Sequence, residues 1–203
     1  NDERGEVIFD ITKYIDAKRP KIFILENVKG FVQIEQGDTL KKVVKVLEMI
    51  GSNENSEKGV YNIHHDILNT REHGIPQNRA RWYCVGIRKD VQMKKNFSFP
   101  EKIGCPSIAE FLDKQEPENA DTPDESSRAM KCIKALESKL VAKGLKIRED
   151  DIFINCDVTG NIKPSAMKQY SPCLTRSCFK GHWICQKQRR RTLNEMARLQ
   201  GIH

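Results

Sequence analysis

The sequence predicts an α/β fold, because amphipathic helices alternate with short apolar strands over its first hundred residues. Apolar residues recur at helical spacing over 4–17 and again over 39–50, which predicts two helices. The run KIFIL at 21–25 has the pattern of a strand buried on both faces, as in a parallel sheet. Two further strands are predicted over 61–68 and 82–87. This order of elements is typical of an α/β sheet.

The second half of the chain has a different texture. The stretch 116–128 is acidic and contains prolines, which predicts an exposed connection. A helix is predicted over 127–143 and a strand over 152–156. Thr192 and Glu195 have the spacing of a capping box, which predicts the start of a last helix.

Composition limits the classes of function. The chain has 203 residues, with 35 Lys and Arg against 28 Asp and Glu, and its net charge of +7 permits a polyanionic partner without requiring one. No run of about 18 apolar residues predicts a membrane-spanning helix. The cysteines number seven, an odd count that argues against a closed disulfide framework and favours a reducing, intracellular location.

One group of cysteines requires comparison with metal sites. Cys173, Cys178, His182 and Cys185 offer ligand types that suit zinc, but their spacing fits no common zinc motif. We therefore expect no metal here, and interpret these thiols as buried or unligated.

Three short motifs carry candidate chemistry. Glu26 follows the KIFIL strand, and ligands of α/β sheets bind at the carboxyl ends of strands, although a strand-end Glu facing water is the simpler interpretation. Arg79 and Arg81 share a face of an extended segment and could hold a phosphate, a carboxylate or a base carbonyl, or form a solvated basic edge. The run at 187–191 suits a phosphate backbone, or is a solvated run of charge.

The order of these motifs resembles the DNA (cytosine-5)-methyltransferase family. The matching stretches are KIFILENVKGF, HGIPQNRARWYCVGIR and RRRTLNEMARLQG, which carry the family's Glu-Asn-Val, Gln-x-Arg-x-Arg and Glu-x-x-Arg-Leu-Gln-Gly motifs. Asp2-x-Arg4-Gly5 is similar to the family's Asp-x-Arg-Gly, and the segment from Tyr170 to Thr175 is similar to the one that precedes the late motif. The late motif departs from the family at Arg191 and Leu193, where a Leu and a Pro are usual.

The resemblance implies part of a doubly wound, S-adenosylmethionine-dependent methyltransferase sheet with a smaller target-recognition region. It assigns 1–100 to the C-terminal half of the catalytic core, 101–185 to target recognition and 186–203 to a return helix. It implies catalytic roles for Glu26, Arg79 and Arg81. It also implies DNA contacts by a further set of residues, namely Gln77, Asn78, Thr175, Arg189, Arg190 and Arg191.

The resemblance also shows what is missing from this sequence. The Pro-Cys loop that carries the family's nucleophile is absent, as is the Gly-rich segment that binds S-adenosylmethionine. We therefore interpret the chain as the C-terminal part of a larger enzyme that methylates cytosine in DNA, located in the nucleus if the organism is eukaryotic. A transfer-RNA methyltransferase and a non-catalytic nucleic-acid-binding paralogue are the alternatives.

Overall fold

The structure, a computed structural model, describes most of the chain and divides into two compact units. The first unit comprises Asn1–Leu68 and Ala80–Pro100, and the second comprises Asn69–Arg79 and Glu101–His203. The described residues are 7–52, 58–118, 120–157 and 163–202. The motif Asp2-x-Arg4-Gly5 lies outside them.

Helices and strands of the described residues follow one another in a mixed order. In chain order they are α1 (Val7–Lys18), β1 (Ile22–Val28), α2 (Asp38–Met49), β2 (Tyr61–Asn69), β3 (Gln77–Asn78), β4 (Ala80–Arg88), α3 (Arg128–Ala142), β5 (Ile152–Asn155), β6 (Ser165–Lys168), β7 (Ser171–Pro172), β8 (Trp183–Ile184), β9 (Arg189–Arg190) and α4 (Leu193–Arg198). The predicted helices and strands are thus confirmed, with shifts of a few residues at their ends.

The first unit is a three-stranded sheet in the order β1-β4-β2, with β1 and β4 antiparallel. Phe23, Trp82 and Cys84 project from one face of this sheet and pack with Val43 and Leu47 of α2 in a continuous apolar core. Gly51, with φ +80°, adopts the left-handed conformation that commonly ends a helix, just beyond α2.

The other face of β1 is exposed, so the predicted burial of this strand on both faces was wrong. Ile22 is 51% exposed and Ile24 is 65% exposed, so the KIFIL strand is buried on one face and not on both. Because side chains alternate along a strand, Phe23 and Leu25 enter the core while Ile22 and Ile24 project from the opposite side.

The second unit contains a four-stranded sheet in the order β6-β5-β8-β9 and a parallel pair, β3 with β7. Apolar residues of α3, among them Met130 and Ile133, pack with Ile152, Ile154 and Trp183 of the sheet. Ser127 caps α3 by accepting a hydrogen bond from the backbone N–H of Met130.

The last helix begins where the sequence predicts it. The Thr192 hydroxyl accepts a hydrogen bond from the Glu195 N–H, and the Glu195 carboxylate accepts one from the Thr192 N–H. The capping box is therefore confirmed. The structure groups residues 186–203 with the unit that begins at Glu101, together with 69–79. The assignment of 186–203 to a return helix of the core stays a prediction.

Candidate functional site

Two charged side chains meet where β1 ends and β4 begins. The antiparallel register pairs Val28 with Arg81 and Glu26 with Tyr83. Opposite residues of such a ladder share a face, as do residues two apart along one strand. Glu26 and Arg81 are therefore diagonal neighbours on one face of the sheet. Glu26 lies within β1, whose last residue is Val28, and not after the strand as the sequence suggests.

The two side chains form an ion pair. Arg81 Nε lies 2.9 Å from Glu26 Oε1, and the side chains are 15% and 45% exposed. Arg81 Nη1 also donates to the carbonyl of Ala80 at 2.9 Å. A guanidinium offers five donors and a carboxylate about four acceptor positions, so the two groups can bind a polar ring while keeping their mutual contact.

The opposite face of the same strands fixes their orientation. Trp82 is 2% exposed, and its ring lies 5.2 Å from that of Phe31. Because successive residues point to opposite faces, a buried Trp82 turns Arg81 to the face that carries Glu26. The position of Arg81 thus depends on apolar packing behind it.

Arg79 belongs to the second unit and has its own contacts there. Its backbone N–H donates to Asn69 Oδ1 at 3.0 Å, and its Nη1 donates to Cys173 Sγ at 3.4 Å. Asn69 Nδ2 in turn donates to Asn78 Oδ1 at 2.8 Å. Because Arg79 and Arg81 fall in different units, their sharing of one face stays a prediction.

The remaining predicted contacts from the Gln-x-Arg-x-Arg stretch and its surroundings differ in accessibility. Gln77 is fully buried, and within the described residues neither its Nε2 nor its Oε1 has a hydrogen-bond partner. Its buried side chain does not support the predicted contact with DNA. Asn78 is half-buried and Thr175 is exposed, with Thr175 Oγ1 lying 3.3 Å from Cys178 Sγ.

Arg189 is not part of an exposed basic run, which corrects the sequence prediction. Its side chain is 2% exposed, and Nη1 and Nη2 donate to the two carboxylate oxygens of Glu195 at 2.9 and 2.8 Å. Its Nε donates to Glu116 at 2.7 Å. The pKa of Arg189 is raised, because these bonds to Glu195 and Glu116 outweigh the opposing effect of burial. Arg189 therefore holds the unit together and presents no charge to phosphates.

Arg190 and Arg191 are buried as well, so the same correction applies. Arg190 donates to both carboxylate oxygens of Asp157. The Arg191 guanidinium lies 4.4 Å from the centre of the Phe153 ring, and Nη1 donates to Ser171 Oγ at 2.5 Å. Burial lowers the pKa of Arg191 to about 9. Neither side chain is available to a DNA backbone.

His182 lies beside Arg191 in the same buried region. It is 1% exposed, and its Nδ1 is 3.4 Å from Arg191 Nη1. Burial, with the nearby Arg191 and Arg190 charges, lowers the pKa of His182 to about 3, so the ring is neutral at ordinary pH. Across the described residues, no three His, Cys, Asp or Glu side chains are grouped closely enough to hold a metal ion.

The sequence analysis did not identify the carboxylates that bind the buried arginines. Glu116 and Asp121 lie in the acidic stretch that the sequence predicts to be an exposed connection, and Asp157 follows β5. The local charge pattern, acidic at 116–128 and basic at 187–191, is the signal that could have paired them.

Comparison with known protein families assigns this chain to one of them. A family model described as C-5 cytosine-specific DNA methylase matches residues 1–203. The chain belongs to this family. The resemblance drawn from its motifs is thereby confirmed, and the acid and guanidinium pair lies in two of the three motifs that carry it.

Curated relatives of this methylase-family chain include bacterial type II methyltransferases. M.HpaII of Haemophilus parainfluenzae is 31% identical over 215 residues, and M.HaeII of Haemophilus aegyptius is 32% identical over 207 residues. Each alignment covers 99% of this chain but 56% of the relative. The chain thus spans little more than half the length of these relatives.

Solved structures confirm the α/β methyltransferase fold. An E. coli prophage protein assigned as a DNA modification methyltransferase aligns with a TM-score of 0.60 at 18% identity, over 100% of this chain and 65% of its own. The Entamoeba histolytica methyltransferase EhMeth aligns with a TM-score of 0.52 at 20% identity, over 100% and 58%.

The comparisons bear on location only loosely. The curated relatives named above are bacterial, so they lend no support to a nuclear location. No helix among the described residues is long and apolar enough to cross a membrane.

The methyl donor has no assigned site on this chain. The sequence has no Gly-rich segment of the kind that the resemblance assigns to S-adenosylmethionine, and β1 is followed at Lys29 by a helical turn. We assign none of the described residues to it.

Proposed function

We propose that this chain is part of a DNA (cytosine-5)-methyltransferase, which transfers a methyl group from S-adenosylmethionine to C5 of cytosine. Membership of the C-5 cytosine-specific DNA methylase family supports the reaction class. The single observation that carries the proposal for the site is the 2.9 Å contact between Arg81 and Glu26. The contact brings two separate motifs of the sequence to one place.

The acid and the guanidinium complement the edge of a cytosine. Cytosine presents a carbonyl acceptor at O2, an acceptor at N3 and a donor at its exocyclic amine. Arg81 donates to O2, and Glu26 accepts from the amine and shares a proton with N3. Stabilising charge on the ring makes C6 a better electrophile for the thiolate that attacks it.

The base must leave the duplex to reach this pair, at a cost of a few kcal/mol. Arg79 supports the base site, while Asn78 and Thr175 contact the nucleic acid, as the family resemblance implies. Residues 101–185 form the target-recognition region in this proposal. The attacking thiolate is that of the family's Pro-Cys loop, which precedes the Asp-x-Arg-Gly motif, and the Pro172-Cys173 pair of this chain lies elsewhere in the order of motifs.

The test of the proposal is a methylation assay on the complete enzyme that contains this chain. Glu26→Gln keeps the shape of the side chain and removes its ability to exchange a proton, so we expect turnover to fall at least about a hundredfold. Binding of S-adenosylmethionine should be unchanged. Arg81→Ala should also depress turnover strongly. Glu48→Gln, an exposed change on α2, is the matched control.

Two results would contradict the proposal. Near-normal turnover of the Glu26→Gln enzyme would remove Glu26 from the chemistry. Methylation of transfer RNA in preference to duplex DNA, measured side by side, would change the substrate and leave the chemistry of the site intact.

A further inference from the structure

Arg79 contacts a cysteine that no catalytic step uses. Its Nη1 donates to Cys173 Sγ at 3.4 Å, and the Cys173 thiol in turn donates to the carbonyl of Leu174 at 3.5 Å. Both residues belong to the second unit, and both are half-buried. The hydrogen bond to the Leu174 carbonyl thus orients the thiol so that its sulfur can accept from the Arg79 guanidinium.

The register of a small parallel pair explains why these two side chains meet. Strand β3 pairs with β7 so that Gln77 lies opposite Ser171 and Asn78 lies opposite Pro172. Continuing this register by one residue places Arg79 opposite Cys173. Neighbouring strands are about 4.8 Å apart, so in-register side chains are within contact distance.

The ends of this strand pair are held firmly. Ser171 N–H donates to the carbonyl of Pro76 at 2.7 Å, and Ser171 is fully buried. On the other side, Asn69 Oδ1 accepts from the Arg79 N–H at 3.0 Å. The backbone of Arg79 is therefore fixed by Asn69, and Cys173 contacts its guanidinium.

We infer that Cys173 is a positioning residue for Arg79, holding its guanidinium in one orientation within the second unit. This inference rests on the proposed function, because the role of Arg79 at the base belongs to that proposal. The sulfur is a weak acceptor, but a charged donor strengthens the bond. Cys173 itself touches neither the base nor the methyl group and forms no covalent bond in the reaction.

Two substitutions separate positioning from packing. Cys173→Ser keeps a hydrogen-bond acceptor at the same place and loses volume. Cys173→Val keeps approximately the volume and loses the acceptor. A packing role favours the Val enzyme over the Ser enzyme, and a positioning role favours the Ser enzyme over the Val enzyme.

The experiment measures kcat and KM for methylation of duplex DNA by the complete enzyme. We expect Cys173→Val to lower kcat about three- to tenfold, the loss of one hydrogen bond, with KM within about twofold. Cys173→Ser should stay within about twofold of the parent enzyme. Glu48→Gln, the exposed change on α2, is again the control and should leave kcat unchanged.

An Arg79→Ala background completes the test. If Cys173 acts through Arg79, adding Cys173→Val to Arg79→Ala should lower kcat no further. A full additional loss in that background would overturn the inference, as would a Val enzyme more active than the Ser enzyme. A normal kcat for Arg79→Ala would instead contradict the proposed role of Arg79, and the inference would fall with it.

Discussion

Glu195 is expected to contribute more to the stability of the second unit than any exposed charge does. Its carboxylate is fully buried and accepts four hydrogen bonds. Two come from Arg189 at 2.8 and 2.9 Å, one from the Thr192 N–H at 2.9 Å and one from the Asp113 N–H at 2.8 Å. Replacing Glu195 with Ala leaves the Arg189 charge buried with Glu116 as its remaining carboxylate partner. We expect a loss of about 3–5 kcal/mol in the free energy of unfolding.

The two tryptophans provide a selective assay, because Trp183 is buried in the second unit and Trp82 in the first. In a Trp82→Phe background, urea unfolding followed by fluorescence reports the second unit alone. Arg189→Met combined with Glu195→Gln should be less destabilising than the sum of the two single changes, by about 0.5–3 kcal/mol.

An exposed ion pair provides the matched control for Glu195. The side chains of Lys134 and Glu125, which also form a salt bridge in this unit, are 60% and 76% exposed. Lys134→Ala should cost less than about 1 kcal/mol. A loss below about 1 kcal/mol for Glu195→Ala as well would refute the reasoning, because it would mean that Arg189 is solvated without its partner.

Two further predictions concern the same unit. The pKa of His182 is lowered to about 3 in the folded state and is about 6.5 in an unfolded chain, so only the unfolded state takes up this proton between those values. The contribution of neutral His182 to the free energy of unfolding is therefore complete above pH 6.5, and this free energy should fall by about 2 kcal/mol between pH 7 and 5. Urea unfolding at the two pH values measures the loss, and His182→Gln should abolish it. Arg190→Ala removes the two guanidinium hydrogen bonds to the partly buried Asp157, so it should lower the unfolding free energy by about 1.5–3 kcal/mol and leave the salt dependence of DNA binding unchanged. A slope reduced by about one would restore Arg190 to the phosphate contacts.

Local patterns in the sequence predicted local structure well. The helical spacing of apolar residues predicted α1 and α2, and the capping box predicted the start of α4. These features depend on residues three or four apart, so the sequence contains the whole signal. The burial of KIFIL on both faces was wrong, because the exposure of Ile22 and Ile24 depends on what packs against the sheet and not on the strand itself.

Pairings between distant residues were not predictable from spacing. Arg190 meets Asp157 and Arg189 meets Glu116 across 33 and 73 positions of sequence. A run of basic residues has the same pattern whether it is solvated or bound to carboxylates elsewhere in the chain. The meeting of Glu26 with Arg81 was expected only through the family resemblance, and the ladder register supplies its physical reason.

The membership of residues 69–79 in the second unit has a consequence for grafting experiments. A chimaera that exchanges the second unit between related chains with a single junction after Pro100 would leave 69–79 behind in the recipient. The transplanted segment would then lose β3, the native partner of β7. The recipient's own Asn69 and Arg79 would lie beside a residue 173 that comes from the donor. Transplants of the second unit between related chains should therefore carry two pieces of chain, 69–79 and the stretch from 101 onward, with junctions at 68/69, 79/80 and 100/101.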